Sequence, residues 1–303
     1  MNITTVNPSV LGAAAVAGAP AQPTPPAALS DAALAAESLR AHAAIRRRRW
    51  MIIALRVALL LLVLGGWELA ASRKWIDPFF YSQPSLIWAQ LVDWVQNGTA
   101  QGSLWRQVAV TLEETVLGFL IGAVAGVIGG ILLGRNKLLS DVLSLYIQIA
   151  NSIPRVVLGS VFVIALGLGM ASKVALAVVM VFFVVFGNAF QGVREADKYM
   201  IANAQILGAS PRQLTMYVVI PSAMSWILAS LHVSFGFALV GAVVGEFLGA
   251  KEGIGLLIST AQGAFNASGV FAAMIVLAVV ALAADFLLTR IEKRLLKWRP
   301  ATF

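Results

Sequence analysis

Several apolar runs of about twenty residues, each long enough to cross a bilayer, set the limits on what this chain can become. Lipid offers no partner to backbone amides and carbonyls, so a run lying in it must satisfy them internally, as a helix does. Only 12% of the 303 residues are charged, against roughly 25% in a soluble domain. The fold class is therefore all-α, a polytopic membrane protein. Six transmembrane helices are expected, over 51–71, 107–133, 139–168, 172–190, 222–247 and 270–289. The third is interrupted at Pro154, which predicts an interfacial start or a kink.

Orientation follows from the basic residues. Fifteen Lys and Arg fall on the side of the N-terminus, among them Arg46 to Arg49, Arg135, Arg194, Lys198, Arg212, Lys297 and Arg299. Four fall on the other side: Arg73, Lys74, Lys173 and Lys251. Both termini are thus expected in the cytoplasm. The net charge of +8 belongs to this asymmetry and is not a nucleic-acid signal. With no Cys and only His42 and His232, disulfides and Cys or His metal clusters are excluded. No two acids share a helix face with a nucleophile or base, so no catalytic residue is assigned.

Residues 1–45 form an Ala- and Pro-rich stretch, read as a disordered cytoplasmic tail, with 46–299 as the transmembrane domain. Asp31 to Ile45 has a second reading, as an extension of the first helix. On the outer side, Pro84-Ser85 opens an amphipathic helix with Ser85 as its cap. Trp75, Trp88, Trp94 and Trp105 suit a membrane–water boundary. Along the second span, Gly118, Gly122, Gly126, Gly130 and Gly134 recur every four residues. Such a stripe lets another helix approach closely; whether the contact is fixed or slides is open.

The polar interruption from Gly192 to Pro221 is too polar to enter lipid and too patterned for a slack linker. Glu195 to Leu207 reads as a helix with Glu195 and Asp197 in its first turn, where the dipole favours acids. Gly208 ends it. Ser210, Pro211 and Gln213 then form a capping box that starts a second helix. Pro221 marks the join to the fifth span. Small residues at the bend (Ala202, Ala204, Gly208, Ala209) would let a partner approach the backbone.

This element resembles the cytoplasmic signature of ABC-importer permeases, which reads Glu-Ala-Ala, three residues, Gly, nine residues, Ile, one residue, Leu-Pro. Here Ala202-Asn203-Ala204 fills the first places, Gly208 the glycine, and Val218, Ile220 and Pro221 follow at matching spacing. The signature glutamate is replaced by Ala202 and its middle alanine by Asn203. Residues 111–143, 164–194 and 244–258 are similar to the subgroup serving nitrate, sulfonate, taurine and some thiamine-precursor importers. The resemblance implies a six-helix core paired with a second permease copy in membrane lipid, placed in the bacterial inner membrane. It implies an ABC ATPase subunit docked on the coupling residues Ala202, Asn203, Ala204, Gly208, Ala209, Ser210 and Arg212, and a periplasmic solute-binding protein. ATP and Mg would be bound by the ATPase, since this chain has no GxxxxGK[ST]. With the glutamate lost, Asn203 and Arg212 become the candidates for polar contacts. The implied activity is import of a small anion by alternating access.

Among polar groups within spans, Asn151, Ser152 and Arg155 cluster at the Pro154 break. They are either an electropositive stretch of the translocation pathway or a snorkelling arginine paired with a bundle carboxylate. Glu246 falls about 36 Å along the fifth span, which makes it an interfacial group. Glu113 and Glu114 near an outer end suit solvation or binding-protein contact. His232, Asn188 and Asp285 suit pairing between helices. A gradient-driven secondary transporter or channel is the alternative reading of the whole chain.

Overall fold

The computed structural model describes residues 31–295. Helix α1 (Asp31–Ser72) begins at Asp31, so residues 31–45 continue the first helix rather than the tail. Residues 1–30, and with them the rest of the expected disordered tail, lie outside the described residues, as do Lys297 and Arg299. The chain divides into two compact units after Val63, and the second, which starts at Leu64, holds every helix after α1.

Two short helices open this second unit beyond α1, α2 (Pro78–Tyr81) and α3 (Pro84–Gln96). Ser85 is not the cap of α3. Pro84 takes the first helical position, where its missing N–H costs nothing, and Gln83 precedes it. Ser85 instead donates its backbone N–H (3.0 Å) and its hydroxyl (2.8 Å) to the Glu68 carboxylate. Trp94 is also not a boundary residue: it is buried with Ile87 against Leu104, Ile254, Leu257 and Ala272. Trp75, Trp88 and Trp105 remain exposed.

The expected spans appear as α4 (Leu104–Arg135), α5 (Lys137–Ser152) with α6 (Arg155–Leu166), α7 (Met170–Arg194), and the helices after it. Helix α8 (Lys198–Ile206) and the single turn α9 (Pro211–Leu214) lead into α10 (Ile220–Leu248). Then come α11 (Ile254–Gly263) and α12 (Ala267–Leu295). Among the described residues five helices are long and apolar enough to cross a membrane, or six if α5–α6, a pair bent by 86°, is one span. Pro154 sits in the bend, where the preceding residue is pushed out of helical geometry.

The centre of the unit is α4, α7 and α10. Both α4 and α7 finish on arginines, Arg135 and Arg194, at the same end of the bundle, here termed the basic end. The glycine stripe of α4 lies directly on α7. A Cβ added to Gly118 would stand 2.3 Å from the Cβ of Ala177, and one on Gly130 would stand 2.6 Å from that of Ala189. At Gly122 it would meet the Val178 carbonyl oxygen at 2.8 Å, and at Gly126 the Val185 Cβ at 2.9 Å. Gly134 meets Val193 in the same way. The facing residues on α7 (Ala177, Val181, Val185, Ala189, Val193) also recur every four, so two period-four ridges run in register over roughly 24 Å. Lipid tails are as apolar as these side chains, so dispersion across this close seam supplies the adhesion.

Because the obstacle at Gly122 is backbone, the helices must separate to admit a larger residue. Gly122→Val is expected to destabilise the unit by about 3 kcal/mol, the upper end for overpacking. Gly129→Ala, whose Cβ would meet only ring edges, Phe186 at 3.3 Å and Phe182 at 3.8 Å, should be tolerated. Thermal unfolding of the two variants in detergent, followed by tryptophan fluorescence, checks the difference.

Candidate functional site

The polar interruption folds as a capped helix pair, with two changes from the expected boundaries. The first helix starts at Lys198, not Glu195. Asp197 is its N-cap, accepting from the backbone N–H of Tyr199 at 2.7 Å and of Met200 at 3.4 Å. Glu195 instead ends α7 and accepts from the Gln191 side chain at 2.7 Å. The end of α8 is as expected. Gly208 adopts φ +82°, its N–H reaches the Gln205 carbonyl at 3.0 Å, and the Ala209 N–H reaches Ala204 at 3.0 Å. This is the double hydrogen bond of a Schellman turn, for which glycine is favoured. Ser210 and Gln213 form the reciprocal capping box, at 2.8 and 3.3 Å.

Pro221 does not separate this element from the next span. One π-helical turn, Thr215–Val219, links α9 to α10, and the path from Pro211 to Leu248 is helical for 38 residues. The wider turn reroutes hydrogen bonding where Pro221 lacks an N–H. The Ser222 hydroxyl also takes up the Val218 carbonyl at 2.7 Å. The short second helix is therefore the foot of a span.

One side of α8 is seated on the bundle. Ile201 packs with Leu214 against Ala189, Val193 and Val219, and a cavity of about 310 Å³ there also touches Arg135 and Ala209. The other side is open. Met200, Asn203, Ala204 and Leu207 face Tyr217 and Pro221 across a groove of about 520 Å³. Of the residues singled out in the sequence, Asn203 and Ala204 line this groove and Ala209 the seated side. Ala202, Gly208, Ser210 and Arg212 are exposed and line neither. The sequence reading missed the apolar rim of the groove: Met200 is 59% exposed, Leu207 87% and Tyr217 76%. Its signal was the spacing 200, 203, 204, 207, one face of a helix.

At the α5–α6 elbow, Arg155 is the first residue of α6. Its guanidinium donates to the Asn151 side chain and lies 5.4 Å from the centre of the Phe183 ring. Ser152 turns back to the Gln148 carbonyl at 2.8 Å. The structure thus joins Asn151 to Arg155 and ties Ser152 to its own helix. Arg155 has no carboxylate partner among the described residues, whose ion pairs are Arg106–Glu252 and His232–Asp285. The His232 Nε2 to Asp285 distance of 3.3 Å links α10 to α12, the pairing expected of those two residues. Asn188 instead bonds within α7, to Val184.

Two expectations fail at the other end of the bundle, those for Glu246 and Glu114. Glu246 is fully buried and Glu114 is 3% exposed. Lys173, at the same end, is 1% exposed and lies in the first turn of α7, donating to the carbonyls of Leu168 (2.8 Å) and Gly169 (3.1 Å). Glu246 is held because the start of α11 folds back over it. The N–H groups of Gly253, Ile254 and Gly255 donate in turn to Gln107 Oε1 (2.7 Å), Thr111 Oγ1 (2.9 Å) and Glu246 Oε2 (2.7 Å). Thr111 Oγ1 donates to Glu246 Oε1 at 2.7 Å. Length along a helix gives depth but not what covers it, which is why an interfacial carboxylate was expected. Glu246→Ala leaves the Gly255 N–H without an acceptor, while the Thr111 hydroxyl keeps the Gln107 carbonyl at 3.1 Å, and is expected to cost about 2–3 kcal/mol. Glu246→Gln keeps an oxygen for the Gly255 N–H and should cost less. Unfolding midpoints of the two variants decide the order.

Comparison with known proteins places this geometry. Residues 118–297 match the family described as binding-protein-dependent transport system inner membrane component. The putative aliphatic sulfonates transport permease SsuC of Bacillus subtilis (strain 168) is 29% identical over 87% of this chain and 93% of its own length. The taurine transport system permease TauC of Escherichia coli (strain K12) is 26% identical over 85% of this chain and 95% of its own. The riboflavin transport permease RibX of Chloroflexus aurantiacus is 28% identical over 84% and 93%. Among solved structures, an inward-facing MetNI methionine ABC transporter superposes with TM-score 0.56 at 21% identity, over 63% of this chain and 95% of that one. The last is a likeness of fold alone. The long match, the apolar helices and the capped element together make the chain a member of the binding-protein-dependent transport system inner membrane component family, a multi-pass permease subunit of an ABC importer that works with a separate ATPase and a binding protein.

Proposed function

We propose that this subunit imports a small anion, with a sulfonate or taurine as the leading class, and that its ATPase drives it through α8 and α9. The basic end faces the cytoplasm in this reading, on the distribution of Lys and Arg. Two copies of the chain pair around the pathway. The observation that carries the coupling role is the stiff helical connection from Pro211 to Leu248. A push on α9 is transmitted to α10 without a flexible joint, which is what alternating access requires.

The anion reading rests on Arg155. An arginine at a break between two apolar helices, bonded to Asn151 and facing no carboxylate, leaves its charge available to a passing anion. The names of the relatives include sulfonates and taurine, which carry a sulfonate group, but also riboflavin and formylaminopyrimidine, and Arg155 is what favours the former. Much of the selection would lie with the binding protein, and Arg155 would lower the barrier inside.

Two measurements test this. The chain has no Cys, so a single Ala202→Cys is an unambiguous crosslinking handle. In vesicles importing solute it should capture the ATPase subunit, and absence of that product overturns the coupling role. Arg155→Met should cut anion uptake about tenfold in proteoliposomes with all subunits present, while Arg155→Lys retains most of it and ATPase recovery stays constant. Equal uptake by all three chains removes Arg155 from the pathway.

A further inference from the structure

The family signature carries a glutamate where this chain has Ala202, and the structure suggests what replaces an ionic anchor. We propose that the ATPase holds this chain by seating an apolar side chain in the groove between α8 and the foot of α10, a grip that uses no ion pair. The inference rests on the coupling role proposed above and specifies the chemistry of its partner.

The groove has room, at about 520 Å³, and its walls are Met200, Ala204, Leu207, Tyr217, Val218 and Pro221, with Asn203 and Ser222 as its polar members. None of the element's charges lines it. Most are engaged elsewhere. Asp197 caps α8, Glu195 accepts from Gln191, and the Arg194 guanidinium lies 5.4 Å from the Phe190 ring centre. A polar segment that folds in water should hide its large apolar groups. Here Met200, Leu207 and Tyr217, which line the concave surface, are 59%, 87% and 76% exposed. A contiguous apolar patch of this kind marks a contact surface, and an aromatic or aliphatic anchor in a pocket is the usual centre of one.

Position favours the ATPase as occupant. The groove has one wall on α8, which is seated on the bundle by Ile201, and the other on Tyr217 and Pro221 at the foot of α10. A side chain wedged between them is held by both, so movement of the partner changes the angle of α10. A bound lipid chain would fill the same space without transmitting force.

The test uses the full-length chain purified in detergent with its own ATPase subunit. At about 1 M NaCl, where exposed ion pairs are screened within roughly 3 Å, recovery of the ATPase should fall less than about twofold. Leu207→Asp, and Ala204→Leu, which fills the groove, should each reduce it about tenfold or more with the elution volume and unfolding midpoint of the chain unchanged. Lys137→Ala, exposed at the same end of the bundle and outside the groove, should leave recovery within about twofold. An ATPase stripped by salt, or one indifferent to both groove variants, overturns the apolar grip and leaves the coupling role standing. Loss of co-purified phospholipid in the groove variants, with ATPase recovery intact, assigns the groove to lipid and overturns the inference. If the unaltered chain retains no ATPase under any condition, the coupling role falls and the grip falls with it.

Discussion

Close approach of α4 to α7 is the constraint on which the rest of the unit depends. Between apolar helices in lipid, water cannot supply the driving force, so adhesion must come from contact area. Five glycines at spacing four strip one face of α4 to backbone, and small or β-branched residues at the same spacing on α7 fill the space. With those two helices fixed in register, α10 packs against both, and Gly241, whose added Cβ would stand 2.7 Å from the Ala177 Cα, repeats the device. Ala177 is thus met by glycine from two helices. This leaves little freedom for rotation at the end of the trio near Ala177, so changes of shape must come from its basic end.

The two ends of the trio are built from different materials. Away from the basic end, the start of α11 is bound by directed hydrogen bonds to side chains of α4 and α10, through Gln107, Thr111 and Glu246. Gly253 is required there both by its φ of +117° and by the Glu246 oxygen that an added Cβ would meet at 2.1 Å. Hydrogen bonds to a buried carboxylate have narrow geometry and are costly to break. At the basic end, α8 rests on the bundle largely through apolar packing, which tolerates sliding. In the proposed import cycle this contrast gives α10 a fixed end and a driven end.

Much of this was legible in the chain, because it is local. The Schellman turn at Gly208, the capping box at Ser210 and Gln213, the break at Pro154 and the glycine ridge each depend on residues a few positions apart. What failed was non-local. Glu246 read as interfacial because nothing near it in sequence announces the fold-back of Gly253 to Gly255 that covers the carboxylate. The helical run through Pro221 was misjudged for a related reason: a proline signals a break on average, and the π turn that absorbs it is not written in any single residue. Ser85 followed the general preference for serine caps, while Pro84 and the distant Glu68 decided otherwise. The apolar rim of α8 was visible as spacing but was outweighed by the polarity of the segment as a whole.

The replacement at Ala202 bears on how such an importer keeps its own ATPase. A glutamate anchor selects a partner by charge and speeds encounter, at the expense of sensitivity to ionic strength. An apolar groove selects by shape, and its discrimination is set by how well a side chain fills the space between Leu207 and Tyr217. The groove lies between α8 and α10, so in the proposed grip one contact would both recognise and drive. A single ionic contact on the outer face of α8 would have to transmit force through the helix to reach α10. The groove reaches it directly, through Tyr217 and Pro221, and loss of the signature acid at Ala202 is then compatible with a coupled transporter.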